Sequence, residues 1–371
     1  LDMVGAPLYV HRRLLTTLSD NVVTDRFGER AKEEAVRARA APRPTMRDVA
    51  DRAGVSLKTV SRVINGEIGV AARTAERVGV AIEELGFERN DLAASLRQGQ
   101  SSGTLGLIIE DVANPFYSAV AQGVENAARD RGLMLITASA REDREREREL
   151  VAALMRRRVD AILMVPAGRD HRYLASARHH VPTVFVDRPP HNFDADTVLI
   201  DNAGGARRGG AHLIAHGHTR IAFVADEADL YTARERLAGY RQALAAAGVP
   251  EDPALVRTGN RSAAEAEDTV RRLLGLPPGE RPTALLSANN RNTVGALRAM
   301  GRHGDRPAIV GFDDFELADV LGVTVMRSDP AELGERAAAL AFARLDGHDG
   351  PPRSLTIPTT LIIRGSGEVK P

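Results

Sequence analysis

Lys58 and Arg62 are the residues most clearly placed to do chemistry near the start of the chain, in the segment Leu57-Lys58-Thr59-Val60-Ser61-Arg62-Val63-Ile64. Their i, i+4 spacing puts both cations on one helical face, while Val60, Val63 and Ile64 occupy the other. A helix of this kind fits the major groove of B-DNA, where Arg or Lys donates to the O6/N7 edge of guanine. The elements that would hold it are written just upstream. Thr45 with Asp48 makes a capping-box-like start, Val49, Ala50 and Ala53 share an apolar face, Gly54 supplies a turn and Ser56 caps the second helix. The spacing predicts a helix-turn-helix with a basic outer face. The alternative on spacing alone, and the less favoured one, is an ordinary αα-hairpin whose charged face is solvated.

A second polar constellation begins after Thr104. Ten short apolar runs, from Leu105–Ile109 to Val323–Arg327, alternate with segments of helix length. Near-continuous apolar strands separated by helices predict a parallel sheet covered on both faces, and some 260 residues predict two such lobes. Ligands of open α/β sheets bind beyond the carboxyl ends of the strands. Those ends carry Glu110 and Asp111, Asp187 and Arg188, Asp226 and Glu227, Asn260 and Arg261, Asn289 and Asn290, and Asp313 and Asp314, which predicts a polar cleft between the lobes.

Other chemistries find less support. The chain has no cysteine, which excludes thiol catalysis, disulfides and thiolate metal sites. His212, His216 and His218 include one i, i+4 pair, but no acid or further histidine sits at ligand spacing, and His216-Gly217-His218 reads as a helix C-terminus. The glycines of Gly204–Gly210 match neither phosphate-loop nor dinucleotide spacing. Asp313 and Asp314 are adjacent, so on an extended segment they point apart rather than forming a catalytic pair. No G-x-S-x-G nucleophile motif is present. Arg141–Glu149, with four basic and five acidic residues, reads as a solvated helix face. Fifty basic residues balance fifty acidic ones, and residues 42–100 carry nine against eight, so any DNA contact is local to a face. No run reaches the length of a membrane span, which predicts a soluble, cytoplasmic (nucleoid-associated) protein.

The segment "DVADRAGVSLKTVSRVING" resembles the headpiece of the lac repressor family (LacI/GalR-type). The stretches "NPFYSAVAQGVENAARDRG", "FVDRP", "DNAGGARRGGAHLIAHGHTRIAFV", "RERLAGYRQAL" and "IVGFDD" extend the resemblance through residues 46–371, as its periplasmic-binding-protein-like effector domain. The resemblance implies DNA contacts at Thr45, Ser56, Leu57, Lys58, Thr59, Ser61, Arg62 and Asn65. It also implies a hinge helix whose Leu96 wedges into the minor groove, exchanging base unstacking for a bent duplex. For the effector it implies Tyr117 as an apolar wall and Asp187, Arg236, Asn289 and Asp313 as polar anchors, with Arg261 where sugar-responsive members carry an aromatic. The chain departs from the family pattern at Arg261, at Arg89 in place of proline, at Asn290 in the usual Asn-Asp pair and at Ala75 in place of arginine.

The expected fold class is α/β: an all-α helix-turn-helix headpiece plus a two-lobed, doubly wound parallel-sheet core. Residues 1–44 read as a flexible extension ahead of the headpiece, an expression artefact or misplaced start rather than a phosphate-contacting arm. Residues 45–89 form the headpiece, 90–103 the hinge and linker, and 104–371 the effector and dimerisation domain. Within it, one lobe takes 104–200 plus 328–348 and the other 201–327 plus 349–371. The expected function is a transcriptional regulator, a repressor and not an enzyme, needing no cofactor or metal. It pairs as a homodimer on a palindromic double-stranded operator and answers a sugar-like effector. No C-terminal heptad segment follows Leu361–Arg364, favouring a dimer over a tetramer. The competing reading is a sugar-binding or sugar-processing α/β protein whose N-terminal helices are structural.

Overall fold

A computed structural model describes residues 44–87, 101–175, 181–301 and 306–371, and the chain divides into two units between Asp91 and Leu92. The hinge residues Arg89 and Leu96 and residues 1–43 of the extension lie outside the described residues.

The first unit holds three helices, α1 (Met46–Ala53), α2 (Leu57–Ile64) and α3 (Ala72–Leu85). The expected capping box forms: the Asp48 amide donates to the Thr45 hydroxyl, while the Thr45 amide donates to the Asp48 carboxylate at 2.7 Å. Gly54 ends α1 at φ +61°, a left-handed conformation that favours glycine, and the Ser56 hydroxyl accepts from the Thr59 amide at 3.1 Å to start α2. Val49, Ala50, Ala53, Val60, Val78 and Ala81 close the small core, with Val63 and Ile64 partly buried against it. Arg77 of α3 donates to the carbonyls of Ala53 and Gly54, satisfying acceptors left open at the end of α1.

The second unit contains two six-stranded sheets. The first is built from β1 (Thr104–Ile109), β2 (Met134–Ser139), β3 (Ala161–Met164), β4 (Thr183–Val186), β5 (Asp196–Ile200) and β11 (Ser354–Ile357), in the order β11-β5-β4-β3-β1-β2, all parallel. The second joins β6 (Ile221–Val224), β7 (Val256–Arg257), β8 (Ala284–Ser287), β9 (Ala308–Phe312), β10 (Thr324–Arg327) and β12 (Thr360–Ile362) in the order β12-β10-β9-β8-β6-β7, with only β12 antiparallel. Helices α4 (Pro115–Asp130), α5 (Arg144–Arg156) and α10 (Pro330–Leu345) cover the first sheet. The second lobe carries α6 (Asn202–Ala215), α7 (Tyr231–Ala246), α8 (Ala263–Leu274) and α9 (Asn290–Met300).

The chain crosses between lobes after Ile200, between Arg327 and Pro330, and between Ile357 and Thr360. Sequence reasoning assigns 104–200 plus 328–348 to the first lobe and the rest of the core to the second. The third crossing corrects it: residues 349–371 do not all belong to the second lobe, because Ser354–Ile357 pairs with β5 in the first sheet. That edge strand exposes three of its four residues and so lacks the apolar run by which the other strands are read. The glycines of Gly204–Gly210 serve packing: a Cβ on Gly205 would meet Phe312 at 2.8 Å, and one on Gly210 would meet Ala243 at 2.9 Å.

Candidate functional site

The strand ends expected to form a cleft do so. Between the lobes lies a cavity of about 310 Å³, lined by Glu110, Asp187, Arg188, Asp226, Glu227, Arg261, Asn289, Asn290 and Asp313 from those ends. Tyr117 and Arg236 join them from α4 and α7, so all six expected effector residues, Tyr117, Asp187, Arg236, Arg261, Asn289 and Asp313, face one space. Three expected polar residues do not line it. Asp111 binds Arg291, Asp314 binds Arg364 at 2.7 Å, and Asn260 is buried, donating to the Ala225 carbonyl and accepting from Thr269. Asp313 and Asp314 therefore do point to different partners.

Asp187 and Asp313 stand at equivalent places in the two lobes, each just past a strand and each with a left-handed backbone (φ +67° and +65°). Asp tolerates that region at a small cost, of a kind that collects at ligand sites. The Tyr117 hydroxyl donates to Asp187 Oδ2 at 3.0 Å, so Tyr117 is more than the apolar wall expected of it. Arg236 is buried over the Phe312 ring, donates to Asn202 Oδ1 at 2.7 Å and to the Ala288 carbonyl, and reaches Asp313 Oδ2 at 3.4 Å. Asn289 holds Asp226 with its amide nitrogen and caps α9 with its oxygen, accepting from the Asn292 amide at 2.8 Å. Arg261, by contrast, sits exposed at the mouth, paired with Glu227.

Burial raises the Asp187, Asp226 and Glu110 carboxyls above the usual range and pushes Asp313 up to about 6. Three buried polar atoms at the cleft make no hydrogen bond within the protein: Asp187 Oδ1, Asp313 Oδ1 and Arg188 Nε. Buried polar atoms are rarely left so, and all three belong to residues that line the cavity, where a polar ligand would find both acceptors and a donor. Among the described residues no group of three or more metal-ligating side chains is present, and His212, His216 and His218 bind Glu368, the His212 carbonyl, and Thr283 with the Val369 carbonyl.

Several residues that complete the cleft escaped sequence reasoning. Glu142 clamps Arg188 through two hydrogen bonds of 2.7 and 2.8 Å, and Arg291 reaches from one lobe to Glu110 and Asp111 of the other at 3.1 and 2.8 Å. Asn114 accepts across the lobes at 2.9 Å from Asn290, itself one of the expected strand-end residues, and Arg169 pairs with Asp229. The run Arg141–Glu149 is not simply a solvated face, for Glu147 is 1% exposed. Its carboxylate accepts from the amides of Ala167 and Gly168 and from the Tyr173 hydroxyl, with His171 at 3.5 Å. Glu147 thereby anchors the loop that carries Ala167 to the cleft wall and Arg169 to its rim.

On the headpiece, Leu57, Lys58, Thr45, Ser56 and Asn65 are exposed and Thr59, Ser61 and Arg62 partly so. Ser56, Thr59 and Thr45 spend hydroxyl bonds on helix caps, while Lys58 and Leu57 project from α2. At the core's entry Asp160 accepts from Ser101 Oγ and from the amides of Ser102 and Thr104, fixing the segment that follows the hinge to the first lobe.

A helix-turn-helix unit and a two-lobed ligand-binding core in one chain define a ligand-responsive DNA-binding regulator. The model for bacterial regulatory proteins of the lacI family matches residues 45–90, and that for the periplasmic binding protein-like domain matches residues 211–367. The ribose operon repressor of Escherichia coli is 33% identical over 330 residues, covering 87% of this chain and 99% of that protein. The regulator CelR of Thermobifida fusca is 36% identical over 342 residues, covering 88% and 98%. Among solved structures, the lac repressor dimer bound to operator and an anti-inducer superposes with a TM-score of 0.76 at 28% identity, covering 88% of this chain and 100% of that one. The CelR–cellobiose complex does so with a TM-score of 0.64 at 33% identity, covering 87% and 100%. The chain belongs to the lacI family of DNA-binding transcriptional regulators. Its relatives are regulators rather than enzymes, and among the described residues no helix is long and apolar enough to cross a membrane.

Proposed function

We propose that this regulator is a cytoplasmic repressor, without enzymatic activity, whose operator affinity is set by a small sugar-like effector held between the two lobes. The observation that carries the effector reading is a cavity of about 310 Å³ lined by both Asp187 and Asp313, each of which keeps one buried oxygen, Oδ1, without a hydrogen bond in the protein. Carboxylates on opposite walls accept hydrogen bonds from hydroxyls, and a guanidinium N–H donates to a ring or hydroxyl oxygen. The cavity lies at the small end of ligand sites, which suits a monosaccharide better than a longer sugar. The relatives' names point to sugars as a class, ribose for one and the disaccharide cellobiose for another. Arg261 is tied to Glu227 at the mouth, so it contributes charge at the entrance rather than a stacking surface.

For DNA, Leu57, Lys58 and Arg62 of α2 read base edges, while Thr45, Ser56, Thr59, Ser61 and Asn65 contact backbone phosphates and neighbouring groups. Two subunits pair through their cores and place two headpieces on a palindromic operator, as the lac repressor dimer sits on its own operator. Leu96 is the minor-groove wedge. Effector bound to Asp187 on one wall and Asp313 on the other changes the set of the lobes, and Asp160 passes that change to the linker. By linkage, operator binding changes effector affinity by the same factor.

The test is to select bound duplexes from a random pool with the full chain, then screen pentoses, hexoses, sugar phosphates and sugar acids for their effect on that complex. A sugar that shifts operator affinity, and no longer does so in Asp313→Asn, supports the reading. A selection that enriches no sequence would overturn it.

A further inference from the structure

The recognition helix ends in a way that ties one acid to one arginine twice. At Asn65-Gly66-Glu67, Gly66 adopts φ +63°, its amide donates to the Val63 carbonyl at 3.1 Å, and the Glu67 amide donates to the Arg62 carbonyl at 2.9 Å. This is a Schellman cap, and it folds Glu67 back over the last turn of α2. There the Glu67 carboxylate meets the Arg62 guanidinium, with Nε donating to Oε2 at 3.2 Å, while Nη2 donates to the Ile68 carbonyl at 2.9 Å. Nε–H and one Nη2–H form the side edge of a guanidinium, and Glu67 holds that edge at Nε while Ile68 holds Nη2. Nη1, whose protons include one on the end edge, makes no hydrogen bond among the described residues. Two parallel donors from one edge are what the O6/N7 pair of guanine accepts.

We propose that Glu67 is a positioning residue for base reading: it holds the side edge of Arg62 so that the end edge is presented to the groove. The inference rests on the reading of Arg62 as a guanine contact. An exposed ion pair of this kind contributes little to folding stability, so its effect lies in orientation. A carboxylate this close to DNA also repels phosphates, so Glu67 raises discrimination while lowering affinity for any duplex. Those opposite signs separate its role from a structural one, which would lower both.

The test uses the full chain, the duplex selected above, and copies of it in which each guanine is replaced in turn. Arg62→Ala identifies the guanine whose replacement no longer matters. At that guanine, Glu67→Gln should reduce discrimination about three- to tenfold, the difference between a charged and a neutral acceptor on the arginine. Its affinity for random duplex should stay level or rise, Glu67→Ala should behave alike, and neither change should alter discrimination in an Arg62→Ala background. Tighter binding of Glu67→Gln to operator and random DNA alike, with discrimination intact, would show that Glu67 only masks Arg62 and overturn the proposal. Equal loss by Arg62→Ala on every sequence would remove the base contact itself, and the proposal with it, leaving the family assignment untouched.

Discussion

Asp313→Asn should make the protein more stable and less responsive at once. The folded carboxyl is held at about 6 by burial against an ordinary 3.8, a difference of some two units, or about 3 kcal/mol against the ionised form in the fold. The sign follows from proton binding. Between pH 3.8 and about 6 the native state holds the proton that the unfolded chain has released, so stability falls as pH rises, and above about 6 the whole penalty is in place. Asparagine is a neutral isostere that also tolerates the left-handed φ of +65°, and Arg236 keeps Asn202, the Ala288 carbonyl and the Phe312 ring as partners. The substitution should therefore raise stability by about 1–3 kcal/mol at pH 7.5, seen as a higher thermal midpoint, and flatten the pH dependence below 6. Effector binding should weaken by about 1.5–3 kcal/mol, roughly 10- to 150-fold, through loss of charged hydrogen bonds to ligand hydroxyls. In the wild type, effector affinity should fall as pH drops below about 6, because a protonated Asp313 loses acceptor strength. Differential scanning calorimetry and titration calorimetry with the screened effector read both quantities. A lower thermal midpoint would mark Asp313 as a structural partner of Arg236, and an unchanged effector response would place the ligand elsewhere.

Arg62→Ala should weaken operator binding by about 1–3 kcal/mol and relax preference at one base pair, measured by competition between selected and substituted duplexes; a loss equal on random DNA would mean phosphate contact only. Glu147→Ala should destabilise the core by about 3–5 kcal/mol in denaturant melts, because it strands the amides of Ala167 and Gly168 and the Tyr173 hydroxyl, whereas the exposed Glu145→Ala should stay within about 0.5 kcal/mol. Similar small changes for both would contradict the buried role. Arg291→Gln removes the charged tie to Glu110 and Asp111 across the lobes, so small-angle scattering should show a more open ligand-free core; an unchanged profile would show that the tie does not hold the cleft.

Much of this molecule is legible from short-range rules. The helix pair of the headpiece follows from apolar groups at i, i+3 and i+4, from the Thr45–Asp48 and Ser56 caps and from one glycine at positive φ. Ten strands of the core follow from apolar runs, and for the inner ones the reason is that a parallel strand buried on both faces has no polar positions to break the run. The cleft is legible at one remove, because strand ends converge whatever the loops contain, and all six residues carried over from the family pattern line it. The edge strands β11 and β12 were not visible, since each is short and half exposed and differs little in composition from a loop.

The charged residues divide along the same line. Periodicity assigns a charge to a helix face but is silent on what lies opposite in space. Arg141–Glu149 reads as a neutral, solvated run, yet Glu142 clamps an arginine 46 positions away and Glu147 is buried beneath a loop. Arg291 finds its carboxylates 180 and 181 positions back in the chain. Which acids are buried, which are paired and which are left with an unpartnered oxygen facing a ligand depends on desolvation and on distances of a few ångströms between elements remote in sequence. Local spacing settles helices, strands and turns because those contacts are between neighbours, whereas the ion pairs of the cleft join elements remote in sequence, and those of Arg291 with Glu110 and Asp111 exist only where the two lobes meet.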